Sequence, residues 1–188
     1  SMIHVNKYGN RVVNEKMGYS DRSQIHFVYD PTEREYPNLL LFMIYDAAVA
    51  SSDSMDGMRQ PLPMPGEADP GFVIKGETWD ELAAKIDARL AEHEEHTAGL
   101  RLDASFSENL AATIERFNGF AATGEDLDFH RGDGPINRAW NGPNREGSPN
   151  PTLAPFAETG PYRCIIVGAG TLDTNGGPVI NTSAQVLD

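Results

Sequence analysis

Tyr19 stands four residues after Glu15 and three before Arg22 in "NEKMGYSDR", between a turn and a polar run. Phenol, carboxylate and guanidinium are the groups a proton-transfer site uses, and the stretch admits three readings of Tyr19: core, surface or proton carrier. The other candidates are weaker. "HEEH" puts His93 and His96 three apart at a helix end, but two ligands do not close a metal site and the glutamates read as a solvated terminus, so no metal is expected. The carboxylates of "GEDLDFHRGDG" miss the calcium-loop spacing. "VGAGTL" lacks the third glycine of a dinucleotide fingerprint and no helical pattern follows it. In "DTNGGPV" the paired glycines allow close backbone approach to a flat ligand, and a simple turn explains them equally well. Cys164, the single cysteine, lies in the apolar run "YRCIIV" and reads as a buried structural thiol; "RGD" and "NTS" carry no adhesion or glycan meaning in a cytoplasmic chain.

The elements that must position these groups are legible in part. "MIHVNKYGNRVVNE" reads as a two-stranded hairpin turning at Gly9-Asn10. "QIHFVYD" and "NLLLFMIYD" read as strands, the second buried on both faces, with the prolines of "PTEREYPN" between them. Residues 51–70 contain four prolines and read as a long surface loop or lid. "FVIK" is a short strand. The helix after it has Thr78 and Glu81 in capping-box spacing and a stripe of Trp79, Leu82, Ala83, Ile86 and Leu90. A second helix carries Leu110, Ala111, Ile114, Phe117 and Ala121 and stops at Gly124. Residues 124–161 are irregular, "YRCIIVGAGTL" returns to strand, and "GGPVINTSAQVLD" reads as another hairpin. Strands at both ends around a helical middle imply an α+β fold with a mixed or antiparallel sheet.

The 188 residues suit one domain, and 39% hydrophobic residues fit a globular chain. A net charge of -13 disfavours nucleic acid and anionic membranes as partners. No apolar run reaches the roughly 18 residues a membrane helix needs, and no signal peptide is visible, so the expected location is cytoplasmic. Ser1-Met2 reads as a cloning scar, and the natural chain is expected to extend further.

Several segments together resemble the FAD-dependent family that includes fumarate reductase flavoprotein subunits and 3-ketosteroid dehydrogenases. They are "VNKYGNRVVNE", "ETWDELAAKI", "LAATIERFNGFAATGEDLDFHRG", "NPTLAPFAETGPYRCIIVGAGTLDTNGG" and "VINTSAQVLD", which cover nearly the whole chain apart from residues 51–70. The resemblance implies an excised capping or substrate domain over residues 1–170, with residues 171–188 returning toward the FAD-binding domain of the same polypeptide. FAD is then the cofactor of the intact enzyme and is not expected on this chain. It also implies a catalytic role for Tyr19 as acid or base beside a carbonyl-bearing, mainly apolar substrate. A phenol ordinarily titrates near pH 10, so a base needs a nearby cation or hydrogen-bond network. Arg22 is the candidate charge, with a solvated arginine as its plain alternative. Leu172 occupies the place where fumarate reductases hold a substrate carboxylate with histidine, which favours the ketosteroid-like pattern. Thr174, Asn175, Gly176 and Gly177 are the implied flavin contacts. The alternatives are a fumarate-reductase-like fragment and a non-enzymatic small-molecule-binding module.

Overall fold

The structure, a computed structural model, describes residues 1–51, 62–63, 71–139, 149–170 and 177–187, without the side chain of Ser20. The expected loop at 51–70 therefore lies mostly outside the described residues, as do Leu172, Thr174, Asn175 and Gly176.

The fold is α+β. Four strands, β1 (Met2–Val5), β2 (Leu40–Tyr45), β3 (Ile74–Gly76) and β4 (Tyr162–Gly168), form one sheet in the order β1-β2-β4-β3. Every pairing is antiparallel, so of the two sheet types expected from the sequence the antiparallel one is realised. The helices are α1 (Tyr19–Arg22), α2 (Ala47–Ala50), α3 (Trp79–Glu92), α4 (Phe106–Thr123) and α5 (Pro135–Ala139), with a 3-10 turn at Ser23–Phe27.

Successive side chains alternate across a strand, so the sheet has two unlike faces. Ile3, Val5, Phe42, Ile44, Ile74 and Cys164 pack with Leu82, Ile86 and Leu90 of α3 and with Phe106, Leu110, Ile114 and Phe117 of α4. Each such fully buried side chain contributes about 1.5–3 kcal/mol of transfer free energy. Phe42 meets Phe106 edge-on at 5.7 Å, and Trp79 stacks on Tyr162 at 3.5 Å. From the opposite face of the sheet, His4, Leu41 and Tyr45 are also buried, so β2 is covered on both sides, as is β1.

The two long helices follow their sequence signals. The Thr78 hydroxyl accepts from the Glu81 amide at 3.2 Å, while the Glu81 carboxylate reaches past the cap to the Glu77 amide at 2.8 Å. Gly124 ends α4 in the left-handed conformation at φ +80°. Of the expected α4 stripe only Ala111 faces solvent, and Phe106 and Phe120 join the buried side.

Two expected strands are not formed. The return strand of the first hairpin is reduced to a single bridge, Val5 with Arg11. Arg11 and Glu15 turn their charged ends inward to partners described below, which takes this backbone out of sheet pairing. The turn itself is as expected: Gly9 sits at φ +79°, and a Cβ there would lie 2.3 Å from the Phe106 carbonyl oxygen, so only glycine fits. "QIHFVYD" likewise forms the 3-10 turn rather than a strand. Buried His26 places Nδ1 at 2.9 Å from the Asn38 carbonyl and 3.1 Å from that of Leu39, and the Asn38 amide donates to the Ile25 carbonyl at 3.2 Å. These contacts across the 31–38 turn hold the segment in tight winding. At the other end, the expected hairpin is a turn over residues 181–185 closed by one bridge, Ile180 with Val186. Asn181 shapes that turn, accepting from the Ser183 and Gln185 amides. No helix among the described residues is long and apolar enough to cross a membrane.

Candidate functional site

Two neighbouring parts of one chain stretch, residues 11–22, behave differently: its charged start is buried and its tyrosine end is open. Arg11 donates Nε to Glu15 Oε1 and Nη2 to Glu15 Oε2, both at 2.8 Å. Its Nη1 and Nη2 also reach Asp126 Oδ1 and Oδ2 at 2.9 and 2.8 Å. Arg131 donates Nη1 to Glu15 Oε2 at 3.0 Å and to the Met2 carbonyl at 2.7 Å. All four side chains are buried, between 0% and 4% exposed. Two cations and two anions therefore neutralise one another where solvent cannot.

The rings of Phe117 and Phe129 lie 5.2 and 5.0 Å from the Arg11 guanidinium, and Phe117 lies 5.4 Å from that of Arg131. The loop that carries Asp126 is wound around its carboxylate, which accepts from the amides of Asp128, Phe129 and Arg131. Gly132 closes that loop at φ +97°, where a Cβ would collide with the Asn150 side chain. Asn150 in turn donates to the Gly124 and Arg131 carbonyls, tying the two ends of the loop together.

This arrangement sets the charge states nearby. Burial alone would raise the Glu15 carboxyl, but Arg131 and Arg11 outweigh it and hold it at about 2, below the usual 4.5. His4, whose backbone amide donates to Glu15 Oε1 at 3.1 Å, is lowered from 6.5 to about 4. Burial is the main cause, Glu15 opposes it, and Arg22, Arg131 and His26 add to it. The imidazole is therefore neutral at physiological pH.

Tyr19 opens α1 and is 52% exposed, which removes the core reading. Arg22 closes the same helix, and its Nη1 donates to the Glu15 main-chain carbonyl at 2.7 Å, so it is not a freely solvated arginine. The structure thus brings Tyr19 and Arg22 onto one turn seated over Glu15. Met17, Phe27 and Val28, from the flanking residues, are exposed apolar groups. Of the implied flavin contacts only Gly177 is described, at φ +128°, and among the described residues beyond its chain neighbours no heavy atom lies within 4 Å of where a Cβ would stand. Near it Val179, Ile180, Val186 and Leu187 are exposed, from 48% to 70%. His93 caps the end of α3, its ring 6.5 Å from that of His96. Arg131 of "RGD" is a buried structural cation, and Cys164 is buried in the core with its thiol pushed well up by burial.

Sequence reasoning missed the roles of Arg11, Glu15, Asp126 and Arg131. A usable signal was present: Arg11 and Glu15 flank the apolar pair Val12-Val13, and Asp126 and Arg131 bracket Phe129, charges set among residues that bury.

The FAD binding domain family matches residues 1–188. The chain belongs to that family. It is 34% identical over 186 residues to a 4-oxocyclohexanecarboxylate 2-dehydrogenase of Sinomonas cyclohexanicum, covering 99% of this chain and 28% of that protein. It is 31% identical to a 3-oxosteroid 1-dehydrogenase of Mycolicibacterium smegmatis, covering 93% and 28%. The crystal structure of 3-ketosteroid delta1-dehydrogenase from Sterolibacterium denitrificans, in complex with 1,4-androstadiene-3,17-dione, superposes with a TM-score of 0.71 at 25% identity, covering 100% of this chain and 30% of that one. The chain spans less than a third of the length of each of these relatives. Its relatives are FAD-dependent dehydrogenases, and FAD is the cofactor of the family.

Among the described residues no strand leads through a glycine-rich turn into a helix, the element that would cradle the FAD pyrophosphate. The described residues do not fit a complete flavin site.

Proposed function

We propose that the chain is the substrate-facing cap of an FAD-dependent dehydrogenase, with residues 1–170 forming the cap and residues 171–188 returning toward the flavin domain of the same polypeptide. The reaction is α,β-dehydrogenation of a ring ketone. The two relatives named above share a ring ketone in their names, and for a ketosteroid-like substrate the rest of the molecule is mainly apolar. Tyr19 takes the proton from the carbon next to the carbonyl. A flavin held by the rest of the polypeptide would supply the hydride acceptor for the adjacent carbon.

One observation carries this reading: a half-exposed tyrosine on a single helical turn, seated over a buried ion network and flanked by exposed apolar residues. The seat fixes the backbone that carries the phenol, and the apolar neighbours suit a hydrocarbon ring while offering it no competing hydrogen bonds. The exposed apolar groups of the terminal turn, Val179, Ile180, Val186 and Leu187, suit burial against another domain rather than solvent.

Tyr19→Phe in the full-length enzyme, followed by flavin reduction in a single turnover, tests the role. A positioned acid or base contributes about 10²–10⁴-fold, so reduction should slow by that order. Reduction at the unmodified rate would remove Tyr19 from the reaction. The isolated chain should purify colourless, and stoichiometric yellow flavin on it would overturn the assignment of the cofactor site to another domain.

A further inference from the structure

A helix of four residues cannot sustain itself, because the nucleating turn costs more than its hydrogen bonds return. In α1 the Arg22 amide donates to the Gly18 carbonyl at 2.9 Å and the Ser23 amide reaches the carbonyls of Asp21 and Tyr19. The remaining hold comes from side chains. Asn14 fixes the start of the approach: its Oδ1 accepts from the Lys16 amide at 2.9 Å, and its Nδ2 donates to the Phe129 carbonyl and to Asn137. Arg22 fixes the end, reaching back seven residues to the Glu15 carbonyl. Glu15 is itself immobilised, with its carboxylate accepting from the His4 amide, Arg11 and Arg131. The segment from Glu15 to Arg22 is therefore a closed loop whose closing bond is the arginine.

Resting on the reading of Tyr19 as the proton carrier, we infer that Arg22 is a positioning residue: it clamps α1 to the Glu15 carbonyl and so sets where the phenol stands, instead of serving as the charge that tunes it. Its Nη1 is engaged by the main-chain oxygen of Glu15, the residue whose carboxylate anchors the buried network. Among the described residues no hydrogen bond joins the guanidinium to the Tyr19 phenol. Arginine suits the clamp because its long arm spans the loop and its charge strengthens the bond to a neutral carbonyl.

The test uses the full-length enzyme with Arg22→Ala and Arg22→Lys, the lysine keeping a donor for the carbonyl should the alanine variant fail to fold. Amide exchange of Arg22 and Ser23 is measured first, since it needs neither flavin turnover nor a known substrate. Both amides should exchange about tenfold faster in Arg22→Ala, with the β1 amides unchanged and Arg22→Lys in between. Flavin reduction by a 3-oxosteroid is then followed against pH. The limiting rate should fall at every pH while the apparent pKa of the profile stays where it was. Unchanged exchange, or a rate loss that vanishes at high pH because the profile has moved upward, would overturn the clamp in favour of a tuning charge. If Tyr19→Phe proves neutral, the proton-transfer reading falls, while the exchange result still decides what Arg22 does.

Discussion

Arg11 and Glu15 face each other through two parallel hydrogen bonds of 2.8 Å, with side chains only 4% and 0% exposed. This bidentate pair ties the start of the candidate site to the loop carrying Asp126 and Arg131, more than 100 positions along the chain. Its value lies in completeness, because removing one charge leaves the others buried without compensation.

Glu15→Gln should therefore lower the unfolding free energy by about 3–5 kcal/mol, as expected for breaking a buried pair. Arg116 and Asp128 form a similar two-bond pair at the surface. Arg116→Ala should cost far less, since solvent screens that interaction. Urea denaturation of the two variants beside the parent chain reads both values, and equal losses would contradict the buried-network account.

Acid should unfold the protein in two windows. His4 is held neutral down to about pH 4, whereas an unfolded histidine binds its proton near 6.5. The unfolded state therefore carries the extra proton between those values, and stability present above pH 6.5 declines as pH falls toward 4. Glu15, with a folded value of about 2 against the usual 4.5, extends the loss from about pH 4.5 down to 2. Each window is worth about 3 kcal/mol at 1.4 kcal/mol per unit. His4→Leu should flatten the upper window and leave the lower one, as read from denaturation midpoints across pH 2 to 7.

Gly9→Ala should be strongly destabilising. The left-handed backbone alone costs a residue with a side chain about 1–3 kcal/mol, and the methyl would also strike the Phe106 carbonyl. A drop in thermal midpoint is expected, with no change at Gly71, where an added Cβ meets nothing within 4 Å beyond its chain neighbours among the described residues.

Cys164 should stay unreactive in the native protein, since burial both shields the thiol and suppresses its thiolate. A thiol-specific reagent should label it only after unfolding. Rapid labelling of folded protein would show that the β4 core opens locally.

The helices α3 and α4 were readable from the chain alone because their determinants lie within a few residues: the 3.6-residue apolar period, the Thr78–Glu81 cap and the terminal glycine at 124. The same holds for β2 and β4, whose apolar runs of aliphatic and aromatic residues suit a covered strand, and for the turn at Gly9. Tyr19 and Arg22 were visible as groups with chemistry but not as a clamped turn, because the bond joining Arg22 to the Glu15 carbonyl leaves no trace in side-chain spacing. The ion network was hidden for a stronger reason. A charged residue at the start of a strand-like run reads as solvent-facing, and only a partner 115 positions away makes burial of Arg11 affordable. Once Asp126 and Arg131 fold onto the sheet, Arg11 and Glu15 turn inward, the expected strand is lost, and the backbone is left bearing Tyr19 at the surface. Local sequence decided the two long helices, the covered strands and the turn at Gly9. Long-range compensation of buried charge decided where the candidate site stands.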